Sequence, residues 1–152
     1  MIKSRTIYLL RQAQLTVYAR MIDRLRPFEM TPTQYMVLSL SSSDVGLSSA
    51  ALARRADITP QSMNEIIAIL ERKGLLRRRE SSENRRILRI TLTKEGTRIL
   101  TQCNRELDEM EEEVFGDFSQ KDLSVFRKCL TKVLHPDAQA VEWELEQAAK
   151  DA

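Results

Sequence analysis

The sequence predicts a mainly helical fold that contains one two-stranded β-hairpin. Apolar residues recur at three- and four-residue intervals through most of the chain, which is the spacing of amphipathic helices. Capping residues, prolines and glycines mark where these helices begin and end. One segment, RRRESSENRRILRITLT from Arg77 to Thr93, instead combines a polar turn with apolar alternation, which is typical of a hairpin.

Composition limits the function classes that this fold could serve. The 152 residues are 42% hydrophobic and 30% charged, which is typical of one soluble domain or of a small module joined to an oligomerisation element. No apolar run approaches the ~20 residues that cross a bilayer, and the N-terminus lacks the layout of a signal peptide. We therefore expect a cytoplasmic protein with no membrane partner.

The charge is unevenly distributed along the chain. Residues 1–92 hold 16 lysines and arginines against 8 acidic residues, a net charge of +8, whereas residues 93–152 hold 8 against 14, a net charge of −6. Unless this clustering arises by chance, it indicates that the first part binds a polyanion while the acidic part faces solvent or a partner subunit.

A long first helix is predicted over residues 1–26, where apolar residues recur at helical spacing and Pro27 closes the segment. A second helix follows in MTPTQYMVLSL. Thr31 is its predicted N-cap, Pro32 takes the first helical position, and Gln34 completes a capping box.

Two shorter helices joined by a three-residue turn are typical of a helix-turn-helix. Ser48 caps the third helix, and the fourth begins at Thr59 and ends at a left-handed Gly74. The fourth helix has an apolar face made of Met63, Ile66, Ile67 and Leu70. Its other residues are mostly small or carry amides that can read base edges, so it is the candidate recognition helix. Its candidate DNA contacts are Thr59, Gln61, Ser62, Asn64 and Glu65. An ordinary helical hairpin is the alternative.

The β-hairpin supplies a basic wing beside this helix. Its apolar face can rest on the helices, which leaves the polar tip free to project. An arginine at such a tip can enter a narrow minor groove, and arginines elsewhere on the lobe can contact phosphates. The candidate residues for these contacts are Arg54, Arg55, Arg77, Arg79, Arg85 and Arg86. Residues 31–96 are thus predicted to form a winged helix-turn-helix lobe whose partner is double-stranded DNA.

The C-terminal part is predicted to be helical again. From Thr93 the chain gives a long helix that ends near Gly116, and a capping box of Ser119 and Asp122 opens a second helix. Residues 137–150 read as an extra helix or a tail. The two apolar stripes in 97–134 exceed what one small winged helix needs, so they pack on each other or on a second subunit.

The order of these elements and two sets of residues resemble the MarR family of winged-helix transcriptional regulators, over roughly residues 5–135. The first set is Leu70, Glu71, Lys73, Gly74 and Leu75. The second set is Arg86, Leu92, Thr93 and Gly96. The family usually has an aspartate two residues before the wing arginine. Asn84 stands there in this chain, and it can still hydrogen-bond to Arg86 but carries no charge.

The resemblance implies a homodimeric repressor of a pseudo-palindromic operator, with residues 1–26 and 97–134 packing across a two-fold axis. It also implies release by a small aromatic or phenolic anion that binds between the dimer helices and the DNA-binding lobe. The candidate ligand residues are Tyr8, Arg11, Tyr18 and Tyr35. Aromatic rings can stack on such a ligand and a guanidinium can pair with its carboxylate, although ordinary interface packing is the alternative.

Catalytic residues, metal ligands and cofactors are not predicted. The single histidine, His135, has no HExxH, GxSxG, P-loop or CxxC motif beside it. Cys103 and Cys129 have a spacing that suits neither zinc nor a redox pair, so both are expected to be buried. Thiol-oxidation sensing therefore ranks below ligand binding. A winged helix that binds protein is the other alternative, and a salt-sensitive shift of duplex DNA would exclude it.

Overall fold

A computed structural model describes residues 5–42, 46–80 and 88–134 of the chain. The helices are α1 Thr6–Leu25, α2 Pro32–Leu40, α3 Ser49–Arg55, α4 Pro60–Arg72, α5 Lys94–Phe115 and α6 Gln120–Leu134, and the strands are β1 Leu76–Glu80 and β2 Leu88–Leu92. A short 3-10 turn, Arg26–Phe28, follows α1. The mainly helical fold with a two-stranded wing is confirmed. The predicted wing tip and the predicted helix over 137–150 lie outside the described residues.

Side-chain caps fix where three of the helices begin. At α2, the Thr31 hydroxyl accepts from the Gln34 backbone N–H at 3.1 Å, and the Gln34 side chain accepts from the Thr31 N–H at 3.2 Å. Ser48 and Thr59 cap α3 and α4, each by accepting a hydrogen bond from the N–H three residues later. Each such cap contributes about 1 kcal/mol. These three predicted helix starts are confirmed.

Two residues with left-handed backbone shape the turns of the helix-turn-helix. Asp57, with φ 51°, ends α3 and lets the chain reach the next cap within three residues. Gly74, with φ 71°, ends α4 as predicted. Its N–H bonds to the Glu71 carbonyl, and the Leu75 N–H bonds to the Leu70 carbonyl, both at 2.9 Å. The chain therefore passes from α4 directly into the wing.

The core lies within the first of two compact units, residues 1–110. Its fully buried apolar side chains come from α1 to α5 and from β2, and they are Leu25, Val37, Leu38, Leu52, Met63, Ile67, Leu70, Ile90 and Cys103. The predicted apolar face of α4 is therefore buried, with Ile66 partly so. In contrast, α1 buries only Leu25, at its last position.

The wing sheet has one connection that the sequence pattern did not predict. β1 and β2 pair antiparallel, from Leu76 opposite Leu92 to Glu80 opposite Leu88. Leu47, which precedes α3, also exchanges backbone hydrogen bonds with Ile90, at 3.4 and 2.8 Å. The segment before the helix-turn-helix is thereby joined to the wing.

Residues 111–134 are the described part of the second compact unit. Three rings, Phe115, Phe118 and Phe126, cluster there with centroids 5.8 to 6.4 Å apart. The predicted cap of α6 is present, since the Ser119 hydroxyl accepts from the Asp122 N–H at 3.1 Å. No residue of α6 is buried. The expectation that Cys129 is buried was wrong for this reason, whereas Cys103 is buried as expected.

None of the helices in the described ranges is long and apolar enough to cross a lipid bilayer.

Candidate nucleic-acid interface

The recognition-helix candidate, α4, has one buried face and one polar face that is open to solvent. Met63, Ile67 and Leu70 are fully buried. Gln61, Ser62, Asn64 and Glu65, the residues predicted to contact bases, are all exposed. The helix is therefore held in the lobe by its apolar residues, and its predicted contact residues remain free to meet a partner.

The Asn64 side chain is oriented by a neighbour from α3. The Ser49 hydroxyl donates to Asn64 Oδ1 at 2.6 Å. With the oxygen held, the amide N–H groups of Asn64 are donors that lack a partner among the described residues. Fifteen positions separate these two residues, and only the helix-turn-helix geometry brings them together. Sequence reasoning therefore missed Ser49, which otherwise reads as a second serine beside a cap.

Two further hydrogen bonds organise the start of α4. The Thr59 hydroxyl accepts from the Ser62 N–H at 3.2 Å and donates to the Ser62 hydroxyl at 3.0 Å. Gln61 Nε2 donates to Glu65 Oε1 at 3.3 Å. Thr59 thus fixes the helix start, and Gln61 and Glu65 form one polar pair on the exposed face.

The predicted phosphate-contact arginines fall into three groups. Arg54 and Arg55 are exposed in the last turn of α3. Arg77 and Arg79 are exposed on β1, where strand alternation places them on one face. Arg85 and Arg86 lie outside the described residues, so the wing-tip contact stays a prediction.

Arg78, between Arg77 and Arg79 on β1, faces the other way. Its Nε lies 3.2 Å from both carboxylate oxygens of Glu71 on α4. A partly exposed pair of this kind contributes at most ~1 kcal/mol. Its value here is positional, because it fixes which face of β1 carries Arg77 and Arg79.

A separate groove in the first unit brings together two of the four predicted ligand residues. It has a volume of about 440 Å³ and is lined by Tyr18, Met21, Pro32, Thr33, Tyr35, Met36, Ser39 and Leu40. Its walls are mainly apolar and aromatic, which suits a small ring. Tyr8 and Arg11 do not line this groove.

Tyr35 contributes its ring to the groove while its hydroxyl is engaged elsewhere. The hydroxyl donates to Asn104 Oδ1 on α5 at 2.9 Å. Burial raises the pKa of Tyr35, and Cys103 and Asp108 raise it further, so the phenol stays protonated near neutral pH. Tyr35 can therefore stack on a ligand but is not placed to pair with its charge.

Arg26 is a guanidinium near this groove that the sequence pattern did not single out. It lines an adjoining hollow of about 300 Å³, which shares Tyr18 and Pro32 with the groove. Its Nη2 pairs with Asp23 at 2.5 Å on an exposed surface. The 3-10 turn positions Arg26 there, and no periodic pattern marks it.

Cys103 is poorly suited to redox chemistry. Burial, with a smaller contribution from Glu106, raises the pKa of its thiol to about 11. Within the described ranges, no group of three or more histidine, cysteine or acidic side chains is placed to hold a metal ion.

Comparison with known proteins assigns the winged lobe to a family. A model of the MarR family matches residues 28–87, which run from the turn after α1 through the helix-turn-helix to the wing. The HTH-type transcriptional repressor Rv2887 of Mycobacterium tuberculosis is 29% identical over 126 residues, which cover 83% of this chain and 91% of the relative. Over residues 28–87 the chain matches the MarR family. This is a family of transcriptional regulators, not of enzymes.

Solved structures of MarR-family proteins share the fold over nearly the whole chain. Rv2887 in complex with p-aminosalicylic acid aligns with a TM-score of 0.67 at 28% identity, covering 86% of this chain and 98% of that one. The transcriptional repressor CouR bound to a 23-mer DNA duplex aligns with a TM-score of 0.74 at 25% identity, covering 90% and 94%.

Proposed function

We propose that this MarR-family protein is a homodimeric repressor that binds a pseudo-palindromic operator in double-stranded DNA. The observation that carries the proposal is α4, whose polar face is exposed while its apolar face is locked in the core. Thr59 fixes the helix start, and Ser49 orients Asn64. Two similar proteins support the same function: CouR is a repressor with a DNA-bound structure, and Rv2887 is an HTH-type transcriptional repressor.

The test of DNA recognition is selection of duplexes from a random pool, followed by fluorescence anisotropy on the selected site. We expect Gln61→Ala and Asn64→Ala each to weaken binding by ~1–3 kcal/mol, the range for a good base contact. Gln102→Ala removes an exposed amide from α5 and is the matched control. Identical sequence preference in all four proteins would refute the assignment of α4. An affinity that does not depend on salt concentration would favour a protein partner over DNA.

The proposed homodimer rests on apolar side chains that the single chain leaves exposed. Of the twelve large exposed apolar side chains in the described residues, ten lie on α1 or α6. Scattered exposed apolar residues are normal, but this concentration is typical of an interaction surface. Because α1 buries one residue and α6 none, each helix supplies apolar area that a second subunit can cover.

The dimer is tested by placing a charge on α6. Val133 is 64% exposed, and we expect Val133→Lys to shift the sedimenting mass from about twice the 17.6 kDa chain towards the chain itself. Ser124→Lys adds the same charge to an exposed position on the opposite side of α6 and should leave the dimer intact. A wild-type monomer would refute the homodimer.

We further propose that a small aromatic carboxylate releases the repressor by binding in the groove between Tyr18 and Tyr35. The groove's apolar lining supports this, as do the salicylic acid and p-aminosalicylic acid complexes of Rv2887. Titrating salicylate into the protein–DNA complex tests it. Arg26→Gln should weaken the response more than Arg11→Gln, because Arg26 adjoins the groove and Arg11 does not line it. If salicylate released DNA from Tyr18→Ala as it does from the wild type, the groove would not be the ligand site.

A further inference from the structure

Asn104 on α5 does not line the groove between α1 and α2, but it holds one wall of that groove in place. The Tyr35 ring lines the groove, and its hydroxyl donates to Asn104 Oδ1 at 2.9 Å. Burial raises the pKa of Tyr35, and Cys103 and Asp108 of α5 raise it further, so the hydroxyl end of the ring lies close to this stretch of α5. One side chain of α2 is therefore both a wall of the groove and a contact to α5.

The other wall of the groove, α1, is tied to the same part of α5 by charge. Met21 faces the groove from α1, and one turn later Arg24 pairs with Glu106 of α5 at 3.5 Å, with both side chains partly buried. The next residue, Leu25, is fully buried in the core. The end of α1 is thus held on α5 by an ion pair and by burial. A hydrogen bond between uncharged groups holds Tyr35, so the α2 wall is the one that can move.

An aromatic ligand in the groove competes with the hydrogen bond between Tyr35 and Asn104. Aromatic rings pack in offset-stacked or edge-to-face arrangements, with ring centroids roughly 4.5–7 Å apart. The bond to Asn104 instead fixes the Tyr35 ring in the orientation that suits α5. Because a phenol oxygen moves with its ring, a shift of roughly 0.6 Å takes the 2.9 Å contact to the limit of hydrogen bonding. Stacking against a ligand therefore releases Tyr35 from Asn104.

We propose that Asn104 is a positioning residue, and that an aromatic ligand releases the repressor from DNA by breaking the hydrogen bond between Asn104 and Tyr35. The inference rests on the aromatic effector proposed above. Val37 and Leu38, which follow Tyr35 closely on α2, are buried in the same core as Met63 of α4. A shift of α2 away from α5 therefore moves the helix that is proposed to read DNA. Ligand binding and DNA binding thus favour opposite states of this hydrogen bond.

Calorimetric titration of the full chain with salicylate, in the absence of DNA, tests the inference. A ligand that must break a hydrogen bond binds more tightly when that bond is already absent. We therefore expect Asn104→Ala to tighten salicylate binding by about two- to tenfold, the range for the net effect of one hydrogen bond. Tyr35→Phe, which keeps the ring and removes the hydroxyl, should do the same. The double variant should match either single variant, because both substitutions remove the same bond.

The controls are two substitutions that leave this hydrogen bond intact. Gln102→Ala removes another exposed amide from α5, and Tyr8→Phe removes a hydroxyl from a ring that does not line the groove. Neither should change the affinity for salicylate. Circular dichroism verifies that each variant is folded.

A second measurement links the hydrogen bond to DNA release. Salicylate is titrated into the complex with the selected operator, and anisotropy gives the concentration that releases half of the DNA. Asn104→Ala should need correspondingly less salicylate than the wild type. A lost ligand contact or a loosened fold would weaken salicylate binding, so the sign of the change identifies the role of Asn104. Unchanged or weaker salicylate binding in Asn104→Ala, with a wild type that responds, would overturn this inference alone. A wild type that does not release the operator in salicylate would overturn the proposed effector and this inference with it.

Discussion

Single side chains at the proposed DNA surface are held by hydrogen bonds from neighbours. Asn64 is the clearest case, because the Ser49 hydroxyl bonds its oxygen at 2.6 Å. An amide oxygen has two lone pairs, so Asn64 can still make the paired contact that reads adenine. The hydrogen bond from Ser49 orients the Asn64 side chain and restricts its rotamers before DNA binds. Asn64 therefore loses less conformational entropy on binding.

We therefore expect Ser49→Ala to weaken binding to the selected operator by ~0.5–1.5 kcal/mol and to relax the preference at one base position. Anisotropy and a repeated selection measure the two effects. Ser124→Ala, an exposed serine on α6, is the control. A variant that keeps both affinity and base preference would show that the Ser49 contact has no role in recognition.

The two cysteines should differ in reactivity. The pKa of Cys103 is raised to about 11, so at pH 8 only about one thiol in a thousand is ionised, and its reactivity should rise as pH approaches 11. Cys129 is exposed. Alkylation at pH 8 should therefore be much faster in Cys103→Ser, which retains Cys129, than in Cys129→Ser. Equal alkylation rates in the two variants would mean that the Cys103 thiol is reactive, which would support oxidation sensing at Cys103.

Sequence patterns predicted local features and failed where contacts depend on distant residues. Thr31, Ser48 and Thr59 were correct caps because a cap bonds within three residues. Tyr35 and Asn104 are 69 positions apart, so their hydrogen bond leaves no local signal. The prediction that Cys129 is buried was wrong, because helical periodicity shows which side of a helix a residue lies on but not whether another element covers that side.

At the scale of elements, one residue joins the end of α4, the wing and α5. The Thr93 hydroxyl accepts from the Gly96 N–H at 2.9 Å and donates to the Gly74 carbonyl at 2.6 Å. It thus caps α5 and closes the end of the hairpin. Two glycines flank this junction for different reasons, since Gly74 needs positive φ and Gly96 packs against the Leu75 carbonyl.

This difference predicts unequal costs of substitution. Gly74→Ala should lower the free energy of unfolding by ~1–2 kcal/mol, since alanine is strained at φ 71° but meets no atom within 4 Å. Gly96→Ala should cost clearly more, because its Cβ would overlap the Leu75 carbonyl oxygen. Urea unfolding measures both. Equal losses would mean that the α5 junction relaxes freely.

The sequence predicted the elements of the lobe better than their connections. Hairpin alternation predicted β1 and β2, because each strand is a run of five residues. Leu47 pairs with Ile90 through a single isolated bridge, which is too short to leave a pattern. Gly46 supports that bridge, since a Cβ there would come within 2.7 Å of the Ile90 carbonyl oxygen.

At the scale of the whole molecule, charge is unevenly distributed along the sequence. The net charge of residues 1–92 is +8, and that of residues 93–152 is −6. A basic lobe beside an acidic remainder favours binding of DNA by one part of the chain only. In a homodimer with two-fold symmetry, both basic lobes meet the same duplex, which requires an operator with matching symmetry.

The geometry of the proposed dimer fixes the spacing of its operator. Two recognition helices on one side of the duplex require half-sites about one helical turn apart, roughly 34–36 Å. Inserting five base pairs between the selected half-sites rotates one of them by about half a turn of the ~10–10.5 base-pair repeat, so one α4 loses its groove. We expect a loss of several kcal/mol, within the ~4–10 kcal/mol that separates specific from non-specific binding, as measured by anisotropy. An insertion of ten base pairs restores the phase and should recover part of this loss. Full affinity after the five-base-pair insertion would mean that each subunit reads DNA alone.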